Sequence, residues 1–204
     1  MAEVDPRMMR AEGRLARVLA EIDAANGQDP GRVAFAGAAW PTALIEGQRA
    51  HAWAVQLHPE ASDALQIATR AHHLRRWEVE RASYPRTREG YLAWRTHLYG
   101  FHGRAAGDLM RGLGYPDDSV ERVAELLQKR ALKRDAEAQT HEDAVSLAFL
   151  ELRLSAFLEG VSEEQAIRAL RRTWAKMSPA GREAATGLSL DERAALAVQR
   201  ALTP

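Results

Sequence analysis

The sequence predicts an all-α protein, folded as a single compact domain of about eight helices. Ala, Leu, Arg and Glu dominate the composition and β-branched residues are scarce, which favours helices over strands. Apolar residues recur at intervals of three and four along most of the chain, and capping residues and glycines bound these stretches. The 204 residues suffice to bury a substantial core.

Four helices are predicted in the N-terminal half, over residues 7–25, residues 41–57, a stretch from about residue 61 through the histidine pair at 72 and 73, and residues 88–113. The first has an apolar stripe that ends at Ile22, before the stop signal NGQDPG. Residues 32–40 have no clear period and are predicted to be a loop with a short turn. Pro41 suits the first turn of the second helix, and Gly114 suits the end of the fourth.

The C-terminal half is predicted to contain a fifth helix over residues 118–131 and a sixth over residues 141–159, with LKRDAEAQT as a linker between them. The sixth is apolar nearly all round, which is typical of a central buried helix. Two capping boxes are predicted to open the seventh and last helices, formed by Ser162 with Gln165 and by Ser189 with Glu192. A turn and a short helix lie between them, and Ser178 is predicted to cap that helix.

One domain over residues 1–204 is therefore expected, with an N-terminal helix and loop (1–40), a central core (41–160) and a C-terminal helical flank (161–204). Lys plus Arg and Asp plus Glu both number 28, so the net charge gives no general attraction to nucleic acid or anionic membranes. Cysteine is absent, which excludes disulfides, thiolate metal ligands and cysteine nucleophiles. With no signal peptide and no long apolar segment, we expect a cytoplasmic protein with no membrane partner.

Three ionisable residues fall where the helical spacing predicts burial. His102 lies on the same face of the fourth helix as Trp94 and Leu98, and Asp143 precedes Leu147 on the inward line of the sixth. His73 lies beside the apolar face of the third helix, with His72 turned away. A buried imidazole or carboxylate must be paired, hydrogen-bonded or bound to a metal, because removing its water without compensation is costly.

His73, His102 and Asp143 are therefore candidate ligands of a divalent metal ion. Two imidazoles and a carboxylate suit Fe, Mn, Zn, Co or Ni and leave coordination positions open for water or substrate. Glu142 is a candidate spare ligand or base, and Lys133 a candidate catalytic cation beside it. Each residue also has an ordinary structural interpretation, since single buried histidines are usually hydrogen-bonded core residues and an Asp near a helix N-terminus often caps it.

Arginines alternate with aromatic residues around residues 75–95. This mixture can bind phosphates and stack bases, although it also occurs where arginines lie over aromatic rings at a protein surface. The candidate substrate-binding residues are Arg76, Trp77, Arg88, Tyr91, Trp94 and Arg95.

The sequence resembles the uncharacterised proteins of domain-of-unknown-function family 4202 (DUF4202). The segments that carry the resemblance are RAHHLRRWE, YPRTREGYLAWRTHLYGFH, GYPDDSVERVAELLQKRALKRDAEAQTHEDAVSLAFLE and TWAKMSPAG. Together with weaker similarity around EGQRAHAW they cover nearly the whole chain. The family has no established activity to carry over.

The arrangement is also similar to the HD superfamily of metal-dependent phosphohydrolases, an all-helical fold named for a His-Asp pair. The resemblance implies an HD-like fold, in which His73, His102 and Asp143 match the ligand positions in order. The second position reads His102-Gly103 instead of His-Asp, so one carboxylate is missing unless Glu142 or another acid replaces it.

Three functional hypotheses follow. The first is a metal-dependent phosphohydrolase-like protein acting on a nucleotide or another phosphorylated small molecule. The second is a non-catalytic module that binds a nucleotide or RNA through the residues around 75–95. The third is a structural protein in which the histidines only form internal hydrogen bonds.

Overall fold

The computed structural model describes residues 6–130 and 132–203, which form ten α-helices, two short 3-10 turns and one β-hairpin. The α-helices are α1 (Pro6–Asn26), α2 (Thr42–Leu57), α3 (Asp63–Ala71), α4 (Arg88–Gly112), α5 (Asp117–Leu127), α6 (Ala136–Leu152), α7 (Leu154–Glu159), α8 (Glu163–Lys176), α9 (Pro179–Thr186) and α10 (Glu192–Leu202). The 3-10 turns are Arg76–Glu78 and Arg81–Ser83. The prediction of an all-α protein is confirmed, although the described chain has more helices than the eight or so expected.

The segment predicted as a loop forms an antiparallel β-hairpin of strands β1 (Arg32–Phe35) and β2 (Ala38–Pro41). Its two-residue turn places Ala36 and Gly37 at φ angles of 50° and 79°, the left-handed region that such tight hairpin turns require. The hairpin is hard to predict from the sequence, because each strand has only four residues and Ala is an uncommon residue for this turn.

The predicted N-terminal caps of the helices are confirmed in part. The capping box of Ser162 with Gln165 is present, and Ser178 caps α9 as predicted. The predicted pair of Ser189 with Glu192 is wrong, because Asp191 accepts the hydrogen bond from the Ala194 amide and caps α10. The predicted capping pair of α5, Asp118 with Glu121, is also wrong. That helix begins at Asp117, and no side chain caps it.

Helix α6 begins five residues earlier than predicted. Asp135 caps it by accepting hydrogen bonds from the Glu137 and Ala138 amides, so most of the predicted linker is helical. The helix ends at Leu152, and Arg153 separates it from α7. Asp143 therefore lies two turns inside the helix and not at its start.

Helix α3 ends at Ala71, earlier than predicted. His72 occupies the C-cap position, and the chain then turns through Arg75, whose φ of 53° is left-handed. The histidine pair thus lies in a tight turn and not within the helix. Both imidazoles can point in directions that a continuing helix would not give them.

Two apolar clusters form the core, and α6 contributes to both. The first joins residues of α1 to α5 with Ala138 and Ala144, near the start of α6. The second joins Leu147 and Leu150, near its end, with residues of α7 to α10. Among the described residues, every helix is too short or too polar to cross a lipid bilayer.

Candidate metal and anion site

Glu46 of α2 and the two histidines after α3 form a compact cluster. Glu46, His72 and His73 each offer one ligand atom, and these atoms lie within 4.8 Å of one another. The two helices can approach closely because Gly47 has no side chain, and a Cβ at that position would lie 2.5 Å from the Arg70 carbonyl oxygen. The close approach brings the neighbouring Glu46 against the turn that follows α3.

Backbone carbonyls fix the proton positions on two of the histidines. Nδ1 of His72 donates to the Thr69 carbonyl at 2.9 Å, and Nδ1 of His102 donates to the Leu74 carbonyl at 2.8 Å. A carbonyl only accepts, so Nε2 of each neutral ring carries a free lone pair. Nε2 of His102 is buried and has no hydrogen-bond partner. Metal-binding histidines typically show this arrangement.

His73 lies between the other two imidazoles. Its Nδ1 is 2.5 Å from Oε2 of Glu46, and its Nε2 is 3.5 Å from Nη1 of Arg76. Its ring centroid is 4.2 Å from that of His72 and 6.2 Å from that of His102. A metal–nitrogen bond of about 2.1 Å places a ring centroid about 3.2 Å from the ion, so His73 is close enough to share an ion with either neighbour. The group whose ligand atoms all lie within 4.8 Å of one another contains Glu46, His72 and His73 and leaves out His102.

Burial keeps these histidines neutral near pH 7. It lowers the pKa of His72 and of His73 well below the usual value, and the neighbouring charges of His73 and Arg76, respectively, add to the effect. Burial also lowers the pKa of His102 to about 4. Burial raises the pKa of Glu46, against the opposing effects of His72 and Arg153. The imidazoles therefore keep the lone pairs that metal binding requires.

Two cavities adjoin this cluster, and His73, Arg76, Phe149 and Phe157 line both. The first, which we call the cationic cavity, has a volume of about 480 Å³. Its charged lining among the described residues is Arg76, Arg95, Lys129, Lys176 and Glu142. The second, which we call the aromatic cavity, has a volume of about 560 Å³, and Trp77 and Trp94 line it.

His141 is buried in the wall of the cationic cavity and was not predicted. Its side chain is 1% exposed, and neither ring nitrogen has a hydrogen-bond partner of regular geometry. Burial, with a contribution from Lys129, lowers its pKa to about 3. The ring is therefore a neutral group beside an open space, with only the Ala68 backbone close to one of its nitrogens.

Glu142 also faces the cationic cavity, where two lysines hold it. Nζ of Lys129 is 2.5 Å from one carboxylate oxygen, and Nζ of Lys176 is 3.4 Å from the other. Although burial opposes ionisation, Lys129 and Lys176 hold the pKa of Glu142 below its usual value. A carboxylate held in this way positions the two ammonium groups and is a poor proton acceptor.

Asp143 does not join the cluster. Its carboxylate accepts hydrogen bonds from the amide and the hydroxyl of Ser178, at 2.9 and 2.6 Å, and from the amide group of Gln139 at 3.1 Å. It does not line either cavity. Asp143 is buried, as its inward position predicts, but its carboxylate faces α9 and binds the start of that helix instead of the histidines.

The other predicted residues are divided between the cavities and the surface. Lys133 and Arg88 are exposed and line neither cavity. The remaining five line at least one: Arg76 lines both, Tyr91 and Arg95 line the cationic cavity, and Trp77 and Trp94 line the aromatic one.

Arginines cover the aromatic rings of this region. The guanidinium carbon of Arg76 lies 4.6 Å from the ring centroid of Trp94, and that of Arg95 lies 5.8 Å from the ring centroid of Tyr91. Arg81 lies 6.0 Å from both centroids. These contacts occupy ring faces that a stacked base would need, so they favour arginine positioning over base stacking.

Glu46, His72 and His141 are the site residues that the sequence analysis missed. Glu46 does give a signal, because Ala43 and Ala50 lie one turn away on either side and make it the polar member of an apolar line. The sequence predicts an outward-facing His72 because helical spacing extends α3 beyond Ala71, where the helix ends. His141 was placed at the first turn of α6, where burial is not expected.

Comparison with known proteins identifies the family of this chain. A family model described as Domain of unknown function (DUF4202) matches residues 16–198. Neither the search of curated proteins nor the search of solved structures found a match.

Proposed function

The chain belongs to the DUF4202 family, and we propose that it is a metal-dependent phosphohydrolase that acts on a phosphorylated small molecule. The observation that carries the proposal is the group of Glu46, His72 and His73, whose ligand atoms lie within 4.8 Å of one another. His102 lies next to this group, with its ring centroid 6.2 Å from that of His73, and all three histidines line the cationic cavity. Hydrolysis of a phosphate is also the activity that the resemblance to the HD superfamily implies. In this proposal Glu46 and His72 replace Asp143 as ligands.

The donor set determines which metals are candidates. Three neutral imidazoles and one carboxylate suit Fe, Mn, Zn, Co or Ni, and hard ions that prefer only oxygen ligands fit less well. A divalent ion held by these residues would lower the pKa of a bound water and polarise a phosphoryl oxygen.

Cations of the chain itself can orient the substrate. Arg76 lies beside His73, where its guanidinium can bind the oxygens of the reacting phosphoryl group with planar, paired hydrogen bonds. In the reaction the oxygen of water forms a new bond to phosphorus while the bond from phosphorus to the leaving oxygen breaks. The leaving oxygen takes up the proton that the water loses. The products are inorganic phosphate and an alcohol, or a phosphate monoester where the leaving oxygen belongs to a second phosphate.

Cobalt binding tests the metal site directly. We expect protein purified without chelator to contain a transition metal, and the metal-free protein to bind one Co²⁺ with visible d–d absorption bands. Glu46→Gln and His72→Ala should each weaken Co²⁺ binding at least tenfold, because each removes a ligand. The matched control is His58→Ala, since His58 lies at the end of α2 and lines neither cavity.

A wild-type protein that binds no Co²⁺, Zn²⁺, Mn²⁺, Fe²⁺ or Ni²⁺ by calorimetry would contradict the proposal. The third hypothesis, of purely structural histidines, predicts that result together with a stability loss of about 1–3 kcal/mol in His102→Ala. If metal binds, phosphate release from a panel of nucleotides and sugar phosphates tests the reaction. Metal binding with no release from any of them favours the binding module instead.

A further inference from the structure

We propose that Lys129 and Lys176 bind a second phosphate group, which does not react, so that the substrate carries at least two phosphates. The inference rests on the proposed function for the reaction. The binding of the second phosphate itself does not require the metal.

The use of lysine in this chain is the first observation. The sequence has three lysines and 25 arginines, and two of the three lysines meet at Glu142. They come from different parts of the fold, since Lys129 follows α5 and Lys176 ends α8. Lys129 also holds a left-handed backbone conformation, with a φ of 56°, which is unfavourable for a residue with a Cβ. The two ammonium groups are thus brought together by the packing of several helices.

The distribution of charge between the cavities is the second observation. Four cationic side chains and one carboxylate of the described residues line the cationic cavity, which gives a net charge of +3 with neutral histidines. The aromatic cavity has three cationic side chains, Arg76, Arg81 and Arg153, and three acidic ones, Asp29, Glu46 and Glu80. Its net charge is zero. Anionic groups of a substrate are therefore attracted to the cationic cavity, and an uncharged organic group fits better in the aromatic one.

The unsatisfied His141 is the third observation. Its ring is fully buried in the wall of the cationic cavity, and neither nitrogen has a hydrogen-bond partner of regular geometry, although the Ala68 backbone lies close enough to raise its pKa. A buried polar group without a regular partner is costly, so it calls for an ordered water, an ion or a ligand beside it. The neutral ring can donate its N–H to a phosphate oxygen beside the two ammonium groups.

A single phosphate group does not balance the positive charge of the cationic cavity. A phosphate monoester carries a charge of about −1.5 to −2 at neutral pH, which does not balance the net charge of +3 and the ion that the cluster would add. Two phosphates come closer to balance. The reacting phosphate would lie at Arg76 and the histidine cluster, and the second at the lysines held by Glu142. The substrate class is thus a small molecule with a diphosphate or two neighbouring phosphates.

Pyrophosphate binding to the metal-free protein tests this inference. By calorimetry at physiological ionic strength, we expect pyrophosphate to bind at least tenfold more tightly than inorganic phosphate. Lys129→Asn and Lys176→Gln should each weaken pyrophosphate binding at least tenfold, because each removes one ammonium group. Each variant leaves Glu142 with one lysine partner and so keeps the buried carboxylate paired. Asn at position 129 also tolerates the left-handed backbone.

Lys133→Asn is the matched control. Lys133 has a similar left-handed φ of 70°, but it is exposed and lies outside the cavity, so this variant should bind pyrophosphate like the wild type. Circular dichroism verifies that all three variants are folded. Equal affinity for phosphate and pyrophosphate, or unchanged affinity in both Lys129→Asn and Lys176→Gln, would overturn the inference.

The Co²⁺ titration separates this inference from the proposed function. Lys129→Asn should retain the Co²⁺ bands of the wild type, since Lys129 is not a ligand. If the wild type binds pyrophosphate through the lysines but takes up no metal, the anion subsite stands and the hydrolase proposal fails. If metal binds but pyrophosphate does not, the hydrolase proposal stands and the second phosphate subsite is wrong.

Discussion

Single hydrogen bonds determine which atom of each site residue is available. In His72 and His102 a backbone carbonyl holds the Nδ1 proton, which leaves Nε2 for a ligand. In Asp143 three donors occupy the carboxylate, which leaves it no role at the cluster. All three residues are buried, so an inward position does not distinguish a side chain with a free ligand atom from one whose polar atoms are all hydrogen-bonded.

Asp143→Ala distinguishes a structural role from a ligand role. Asp143 is 2% exposed, and its removal leaves the amide and hydroxyl of Ser178 without their acceptor. We expect a loss of about 2–4 kcal/mol in the free energy of unfolding, measured by urea denaturation. Co²⁺ binding should be unchanged.

The exposed Asp108 provides the control for this change. Its side chain is 79% exposed on α4, so Asp108→Ala should change stability by no more than about 0.5 kcal/mol. If the folded Asp143→Ala variant loses its Co²⁺ bands, Asp143 is a ligand after all, as the sequence first indicated.

At the scale of elements, the site depends on the distance between α2 and α3. The Gly47 backbone lies against the Arg70 carbonyl, and this contact sets how close Glu46 comes to the two histidines. If α3 ended one residue later, or packed slightly further from α2, the Glu46 carboxylate would no longer reach the two imidazoles. The positions of two helix backbones thus determine whether three side chains meet.

Gly47→Ala should therefore impair both stability and metal binding. The added Cβ would lie 2.5 Å from a backbone oxygen, so α2 and α3 must move apart. We expect a cost of about 1–3 kcal/mol in urea denaturation, as for other overpacked cores. Co²⁺ affinity should fall at least tenfold, because Glu46 moves with α2.

Gly112→Ala is the control for an added methyl group. Gly112 is also helical, and a Cβ there would meet nothing within 4 Å. This variant should bind Co²⁺ like the wild type and be equally or slightly more stable, since Ala favours helix. Wild-type Co²⁺ affinity in Gly47→Ala would show that the contact between the helices does not position Glu46.

The same helix boundaries explain how much the sequence could predict. The periodicity located most of the long helices, and it identified His73 and His102 as inward groups, which line the cationic cavity. It could not locate the end of α3, since no glycine or proline follows Ala71 and the turn is made by Arg75 in a left-handed conformation. It also missed the start of α6, because the acidic cap Asp135 stands within a run of charged residues that is typical of a linker. The first error placed His72 on the outside of the protein. Asp143 is buried as expected, but the spacing along α6 could not show that its carboxylate faces Ser178 at the start of α9.

At the scale of the whole molecule, the site lies where the two apolar clusters meet. Glu46, His72 and His102 come from elements of the first cluster, whereas Lys176 comes from a helix of the second. Helix α6 runs through both and supplies His141 and Glu142. The proposed substrate would therefore contact residues of both apolar clusters. Its binding requires that the two clusters keep the same position relative to each other.

Glu151 joins the end of α6 to α2. From α6 it accepts two hydrogen bonds from the guanidinium of Arg49, at 2.8 and 2.9 Å, and one from the indole of Trp53 at 3.1 Å. Arg49 and Trp53 both lie on α2, and Trp53 packs against both apolar clusters. Glu151 is only 19% exposed, so its loss leaves a partly buried arginine without its partner.

We expect Glu151→Ala to lower the free energy of unfolding by about 2 kcal/mol. The control is Glu164→Ala, because Glu164 is 80% exposed and pairs with Arg168 on the surface of α8, where an ion pair contributes about 0.5 kcal/mol or less. Hydrogen exchange measured helix by helix then tests whether the halves unfold together. If they form one cooperative unit, Glu151→Ala raises exchange by the same factor in α3 to α5 and in α8 to α10. A larger increase in α8 to α10 would show that the helix carrying Lys176 can open separately, and the second phosphate subsite could then form and dissolve while the histidine cluster stays intact.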